Sequence, residues 1–277
     1  GADRPGMPRL AAGFRIDLAL ARDQRMEALD LLIRDAALFE DGRIAARVDR
    51  ITRSALAAGR PDEADRLAAY ALEAFPDWPA ARARAAALWL MRARESADLA
   101  MGLERLRKLE SLGLPPAVLV NGVGALSGLT LAPATPADAV AAMLAFVAAL
   151  KPRVTEERDR ALLAGVQLDA GFRASDYAFL VRVLEEGVPG HDTAWHETML
   201  NKVKAHQALQ NGRVDEAIER FRTFMATIAA QEEPGHRDPV TEERVTRPMI
   251  LGFNARRIGD ILKQAGRIDE ADRVYTE

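Results

Sequence analysis

Apolar residues recur at three- and four-residue spacing along almost the whole chain, and strand-like alternation is nearly absent. The pattern predicts helices near residues 8–21, 23–39, 43–58, 61–75, 79–94, 96–112, 116–128, 137–150, 155–170, 174–187, 192–210, 214–231, 241–265 and 268–277. Breaks between them are well marked: Asp41-Gly42, Gly59, Phe75-Pro76, Gly113 ahead of Pro115-Pro116, residues 133–136, Lys151-Pro152, residues 187–190, Gly212, Pro234-Gly235 and Gly266. Short turns between so many helices predict an all-α chain of about seven antiparallel hairpins.

One hexapeptide occurs three times, as GRPDEA at 59–64, GRVDEA at 212–217 and GRIDEA at 266–271. Each copy reads as a helix stop followed at once by a helix start. Glycine ends a helix in the left-handed region without a Cβ penalty, and Asp-Glu places two carboxylates in the positively polarised first turn of the next helix. Pro61 occupies a first-turn position whose N–H would have no intrahelical partner. Internal repetition of helical hairpins predicts an α-solenoid, with residues 1–277 forming one stack.

The repeats resemble the tetratricopeptide family, whose helix-turn-helix unit carries small residues at its eighth and twentieth positions and an aromatic ring at its twenty-fourth. Gly259, Ala271 and Tyr275 hold these places in the last copy, flanked by Ile258 and Leu262. Ala205, Ala217 and Phe221 hold them in the copy before it. The first copy matches in part, with Ala64 and Pro76 in place but Thr52 and Ala68 at the small and aromatic positions. Residues 44–92 and 198–277 match best, and the Gly/Pro-rich stretch 113–137 is irregular. The resemblance implies a right-handed superhelix in which each Ala meets the small residue of its hairpin mate and each ring fills the gap toward the next repeat.

Composition adds mostly exclusions. The chain is 49% hydrophobic and 29% charged, as in a folded protein, and its 5% aromatic content leaves packing to Ala, Leu, Val and Ile. A net charge of −3 gives no global pull toward nucleic acid. Basic residues are mostly arginine, a bias read first as codon usage in a GC-rich genome. Without cysteine there are no disulfides, thiolate metal sites or cysteine nucleophiles. The first residues, GADRPGMPRL, carry none of the segments of a secretory signal, which leaves open a cytoplasmic protein or an envelope protein whose export signal has been removed. Residues 111–137 lack charge but are broken by four prolines, so no membrane insertion is expected.

Candidate chemistry is sparse. Asn121 to Gly128 resembles a glycine-rich phosphate loop, but the third glycine is displaced and no βαβ context follows, so it reads as a tightly packed helix. His196-Glu197 begins like a zinc hydrolase helix, yet Leu200 stands where the second histidine would close the site. His206 lies about 15 Å further along the same helix, too far for joint ligation. The segment 231–239, containing His236, reads as a polar loop inserted before a long helix at 241–265. No catalytic arrangement, metal site or cofactor is expected.

The family resemblance assigns groove positions on the first helix of each hairpin. In the two best copies these are Met199, Lys202, His206, Leu209 and Gln210, then Phe253, Arg256, Asp260, Lys263 and Gln264; in the first copy they are Ala46, Asp49, Arg53, Leu56 and Ala57. The family's clamp for a C-terminal carboxylate is not reproduced, because His206 replaces its asparagine and Asp49 reverses a charge. The expectation is a non-enzymatic scaffold that holds an extended protein segment, acidic or of mixed charge, against Lys202, His206, Gln210, Arg256, Asp260, Lys263, Arg53 and Asp49. The alternative is a helical protein of the cell envelope that encloses a small molecule or glycan in a central cavity.

Overall fold

A computed structural model describes residues 7–230 and 246–276, and these are all-α. Fourteen α-helices follow one another: α1 (Met7–Ala21), α2 (Arg25–Arg34), α3 (Asp41–Ala57), α4 (Pro61–Ala74), α5 (Pro79–Glu95), α6 (Leu99–Ser111), α7 (Pro116–Leu131), α8 (Ala137–Leu150), α9 (Glu157–Ala174), α10 (Tyr177–Glu185), α11 (Thr193–Gln210), α12 (Val214–Ala230), α13 (Arg247–Gln264) and α14 (Ile268–Thr276). Packing is largely sequential, neighbours in the chain lying against one another from α1 through α8 and again from α10 through α14. Contacts divide the chain into two compact units, with the boundary between Val166 and Gln167 in α9.

The three hexapeptides close their helices in the same way. Gly59, Gly212 and Gly266 have φ of 70°, 72° and 77°, and the arginine after each donates its amide to the carbonyl five residues back: Arg60 to Ala55 at 2.9 Å, Arg213 to Ala208 at 2.8 Å and Arg267 to Leu262 at 2.9 Å. This is the Schellman closure, which satisfies carbonyls that the helix end would otherwise orphan. The same bonds recur at Asp23, Ala97, Gly113 and Ser175, so the turn is more regular than the hexapeptide. Successive turns at Asp23, Gly59 and Ala97 are 36 and 38 residues apart, and Ser175 and Gly212 are 37 apart.

In the first unit alternate helices also touch, α2 with α4, α3 with α5, α5 with α7 and α6 with α8. Polar bonds fix their register. Pro79 opens α5, and the next two amides, Ala80 and Ala81, donate at 2.8 and 3.0 Å to the carboxylate of Asp41 from the first turn of α3. A cap supplied by another helix fixes where α5 starts relative to α3. Arg105 of α6 is buried and grips Asp65 of α4 with two bonds of 2.6 and 2.8 Å while also donating to the carbonyl of Trp89 in α5. Between these helices lie the fully buried Leu67, Leu72, Leu90 and Leu106. The glycine-rich stretch is helical, and a Cβ on Gly122 would come within 2.7 Å of both Leu90 and Leu106, so α7 approaches closely because that position has no side chain.

The second unit has its own cluster, in which Ala205, Ile218, Phe221, Ile258, Ile261, Leu262 and Ala271 are buried together. Ala217 and Ala271 are buried as the repeat pattern predicts. The two rings behave differently. Phe221 reaches α13, where the Arg257 guanidinium lies 5.7 Å from its centroid. Tyr275 folds back on its own hairpin: a Cβ on Gly259 would stand 2.6 Å from its Cζ, and its hydroxyl donates to Asp260 at 2.6 Å. That bond draws the half-exposed ring across Gly259 in place of the expected outward position.

Two helix boundaries also depart from the pattern. The helix expected over 23–39 breaks at Asp35, whose carboxylate accepts from Arg15 at 2.9 Å, and continues as a 3-10 turn at Ala36–Leu38. The long helix expected from 241 starts at Arg247, because Thr246 takes extended geometry and caps the amide of Met249. Residues 241–245 and the loop expected at Glu232 to Asp238, with His236, lie outside the described residues.

Candidate functional site

Seven of the residues assigned to the groove from sequence converge in the second unit. Lys202 and His206 of α11 and Arg256 and Asp260 of α13 line a groove of about 590 Å³, together with Leu209, Phe253 and Gln264. Met199, Gln210 and Lys263, also assigned, are not in the lining. Gln210 turns its side-chain amide to the carbonyl of Ser175 at 2.9 Å, and Lys263 is exposed in the last turn of α13 outside the lining. Asp49 and Arg53 belong to the first unit, where Asp49 accepts from Arg53 at 2.8 Å and also binds Arg84 of α5. Burial alone would raise the Asp49 carboxyl, but those guanidinium bonds outweigh it and hold the pKa below its ordinary value.

His206 is a buried wall of the groove, with only 7% of its surface exposed. Its ring stacks on Tyr177 at 4.8 Å and meets Phe221 edge-on at 5.1 Å. The Arg257 guanidinium donates to its Nδ1 at 3.1 Å, which requires that nitrogen to be unprotonated and puts the ring hydrogen on Nε2. Burial, then the positive charges of Arg257 and Lys202, push its pKa down to about 4. The imidazole is therefore neutral near pH 7 and contributes no positive charge to the groove.

Lys202 supplies that charge at a cost. Its ammonium lies 5.8 Å from the ring of Phe172 and 5.9 Å from that of Phe224. Burial, with Arg257 adding repulsion, lowers its pKa from the ordinary lysine value. Among the described residues no carboxylate forms a salt bridge with Lys202, Arg256 or Arg257. Aromatic faces attract a cation but do not replace a counter-ion. Asp260 is the one acid in the lining, and its Oδ1 is engaged by the hydroxyl of Tyr275.

Arg257, Phe172, Phe224 and Tyr177 were not among the residues assigned from sequence. Arg257 falls four residues after Phe253 and seven before Gln264, on the same helical stripe, so the three-and-four spacing of α13 contains the signal that family positions alone omit. The aromatic residues come from α9, α10 and α12, and only the fold brings them to α11.

The other two histidines among the described residues have structural work. His196 accepts the amide of Val188 on Nε2 at 2.6 Å, and its Nδ1 lies 2.8 Å from the carbonyl of Asp192, so both nitrogens serve the turn before α11. His191 stacks on Trp195 at 3.7 Å. Among the described residues no group of three or more His, Asp and Glu side chains is placed to hold a metal, and no helix is long and apolar enough to cross a membrane. Compared with known proteins, the chain matches no family model, and no curated sequence is similar to it.

Proposed function

We propose that the protein is a non-enzymatic, tetratricopeptide-like α-solenoid that binds a protein segment along the α11–α13 groove, with Lys202 and Arg257 gripping a carboxylate of that segment. The observation that carries the proposal is the pair itself: the half-buried ammonium of Lys202 and the exposed guanidinium of Arg257 line one groove, with no acid bridging them among the described residues. A half-buried ammonium repelled by a neighbouring guanidinium is unfavourable until an anion joins them. Arg257 already gives one N–H to His206 and keeps the others for a ligand. The exposed ring of Phe253, 69% accessible, adds an apolar contact for a neighbouring side chain.

Support for the solenoid comes from the Schellman turns spaced 36 to 38 residues apart at Asp23, Gly59 and Ala97 and at Ser175 and Gly212, and from the hairpin packing around Ala205 and Ala271. The enclosed-cavity alternative is less well supported, since two grooves of about 590 Å³ each are flanked by the exposed rings of Phe253 and Phe14. Selection of random dodecapeptides on immobilised protein tests the reading. Enrichment of Asp and Glu next to an apolar residue is expected, with affinity for the selected peptides lost in the Lys202→Ala/Arg257→Ala variant. Selected peptides without acidic bias, or binding that survives the double substitution, would refute it.

A further inference from the structure

The first unit carries a second surface that the groove on α11 and α13 does not explain. Helix α1 buries Ala12, Ile16 and Ala19 and leaves apolar side chains in water on another face: Met7 is 59% exposed, Leu10 67%, Phe14 70% and Leu18 39%. Their three- and four-residue spacing puts them in one stripe, roughly 16 Å long at 1.5 Å per residue. Single exposed apolar residues are ordinary on a surface, but a contiguous stripe is not.

Beside this stripe runs a cavity of about 590 Å³ between α1 and α3, with Leu10 and Phe14 on one wall and Arg43, Arg47 and Arg50 on the other. Arg47 is held in place: its guanidinium lies 5.0 Å from the ring of Phe39, and its Nη2 is only 2.8 Å from where a Cβ on Gly13 would stand. Gly13 thus makes room for the charge. Arg9 lines the cavity too, and the single carboxylate in the lining, Asp17, is shared between Arg50 at 2.7 Å and Arg47 at 3.7 Å. Arg43 has only the distant, exposed Glu40 at 3.9 Å. Four guanidiniums against one acid leave the cavity strongly positive.

The geometry points to a docking groove for a short amphipathic helix of a partner protein, one that seats apolar side chains on Leu10 and Phe14 and presents Asp or Glu to Arg43, Arg47 and Arg50. A helix of about three turns matches the stripe in length, and helix-in-groove recognition reads anchors at the same three- and four-residue spacing. A flat bilayer fits poorly, because three of the arginines sit on α3 across the concavity from the apolar stripe. A second copy of this face is disfavoured by its own excess positive charge. The inference stands apart from the α11–α13 groove and survives if that reading fails.

The test uses a synthetic fifteen-residue peptide with Leu and Phe at three- and four-residue spacing and Glu at the other positions, fluorescently labelled and titrated with the full chain. Saturable binding is expected, with amide shifts along α1 and α3 in NMR spectra. It should weaken about tenfold or more in Phe14→Ser and in Arg43→Glu/Arg50→Glu, as for truncated anchors, while Lys202→Ala binds as before. All three substituted side chains are exposed, so circular dichroism should remain unchanged. Equal binding of the same peptide with Gln for Glu, or wild-type affinity in Phe14→Ser, would overturn the proposal. So would binding to phosphatidylglycerol vesicles without binding to the peptide, or a dimer that Phe14→Ser dissociates.

Discussion

Across the groove of the second unit, the guanidinium of Arg257 donates to Nδ1 of His206 at 3.1 Å, which holds the imidazole as a neutral acceptor. The histidine's pKa falls to about 4 in the folded protein, against 6.5 for an ordinary histidine, so the unfolded chain takes up the proton first as pH falls. This contribution to stability is complete above about pH 6.5 and is lost progressively down to about pH 4, amounting to roughly 2–3 kcal/mol. Urea denaturation of wild type and His206→Gln at pH 7 and pH 5 checks it. The wild type should lose more stability than the variant over that interval, and equal losses would mean that His206 titrates normally.

Ala271 is buried among Ile258, Ile261 and Leu262, with no room for a larger group. Ala271→Leu should overpack the α13–α14 crossing and cost about 1–3 kcal/mol. Gly122→Ala should also be destabilising, although alanine is the better helix former by about 1 kcal/mol, because the new methyl meets the buried Leu90 and Leu106. Thermal melts of the two variants give the sign directly.

Arg105 and Asp65 form a largely buried ion pair between α6 and α4. Asp65→Ala leaves the guanidinium without its counter-ion and should cost about 3 kcal/mol, whereas Arg105→Met/Asp65→Leu should recover most of the loss. Denaturant midpoints of the single and double variants separate these outcomes.

The helix content and the hairpin closures at Gly59, Gly212 and Gly266 were legible because periodicity and glycine mark them in the sequence. The identical closures at Ala97 and Ser175 were not, since nothing in those residue types announces a left-handed backbone. At Ala97 and Ser175, with φ of 53° and 52°, replacement by Gly should stabilise by about 0.5–1 kcal/mol, the left-handed penalty outweighing the entropy glycine adds to the unfolded chain. Unchanged or lower melting temperatures would contradict the assignment of strain there.

The candidate site was partly legible for a similar reason. Helical spacing places Lys202 with His206 and Arg256 with Asp260, but side-chain direction is set by local partners that spacing does not encode. Ser175 draws Gln210 away, Tyr177 and Arg257 turn His206 into a neutral buried wall, and Phe172 and Phe224 flank the ammonium of Lys202. These partners come from α9, α10, α12 and α13 and from the turn after α9.

The chain has five lysines, Lys108, Lys151, Lys202, Lys204 and Lys263, so labelling the lysine ε-carbons gives five signals to follow through a pH titration. Lys202 should titrate below the ordinary lysine value in the free protein. Saturation with an acidic peptide selected on the protein should shift its signal and raise its titration midpoint, because a bound carboxylate favours the charged ammonium, while Lys108 and Lys151 stay unchanged. A Lys202 signal that neither moves nor changes its midpoint at saturating peptide would contradict the claim that this groove grips an acidic segment.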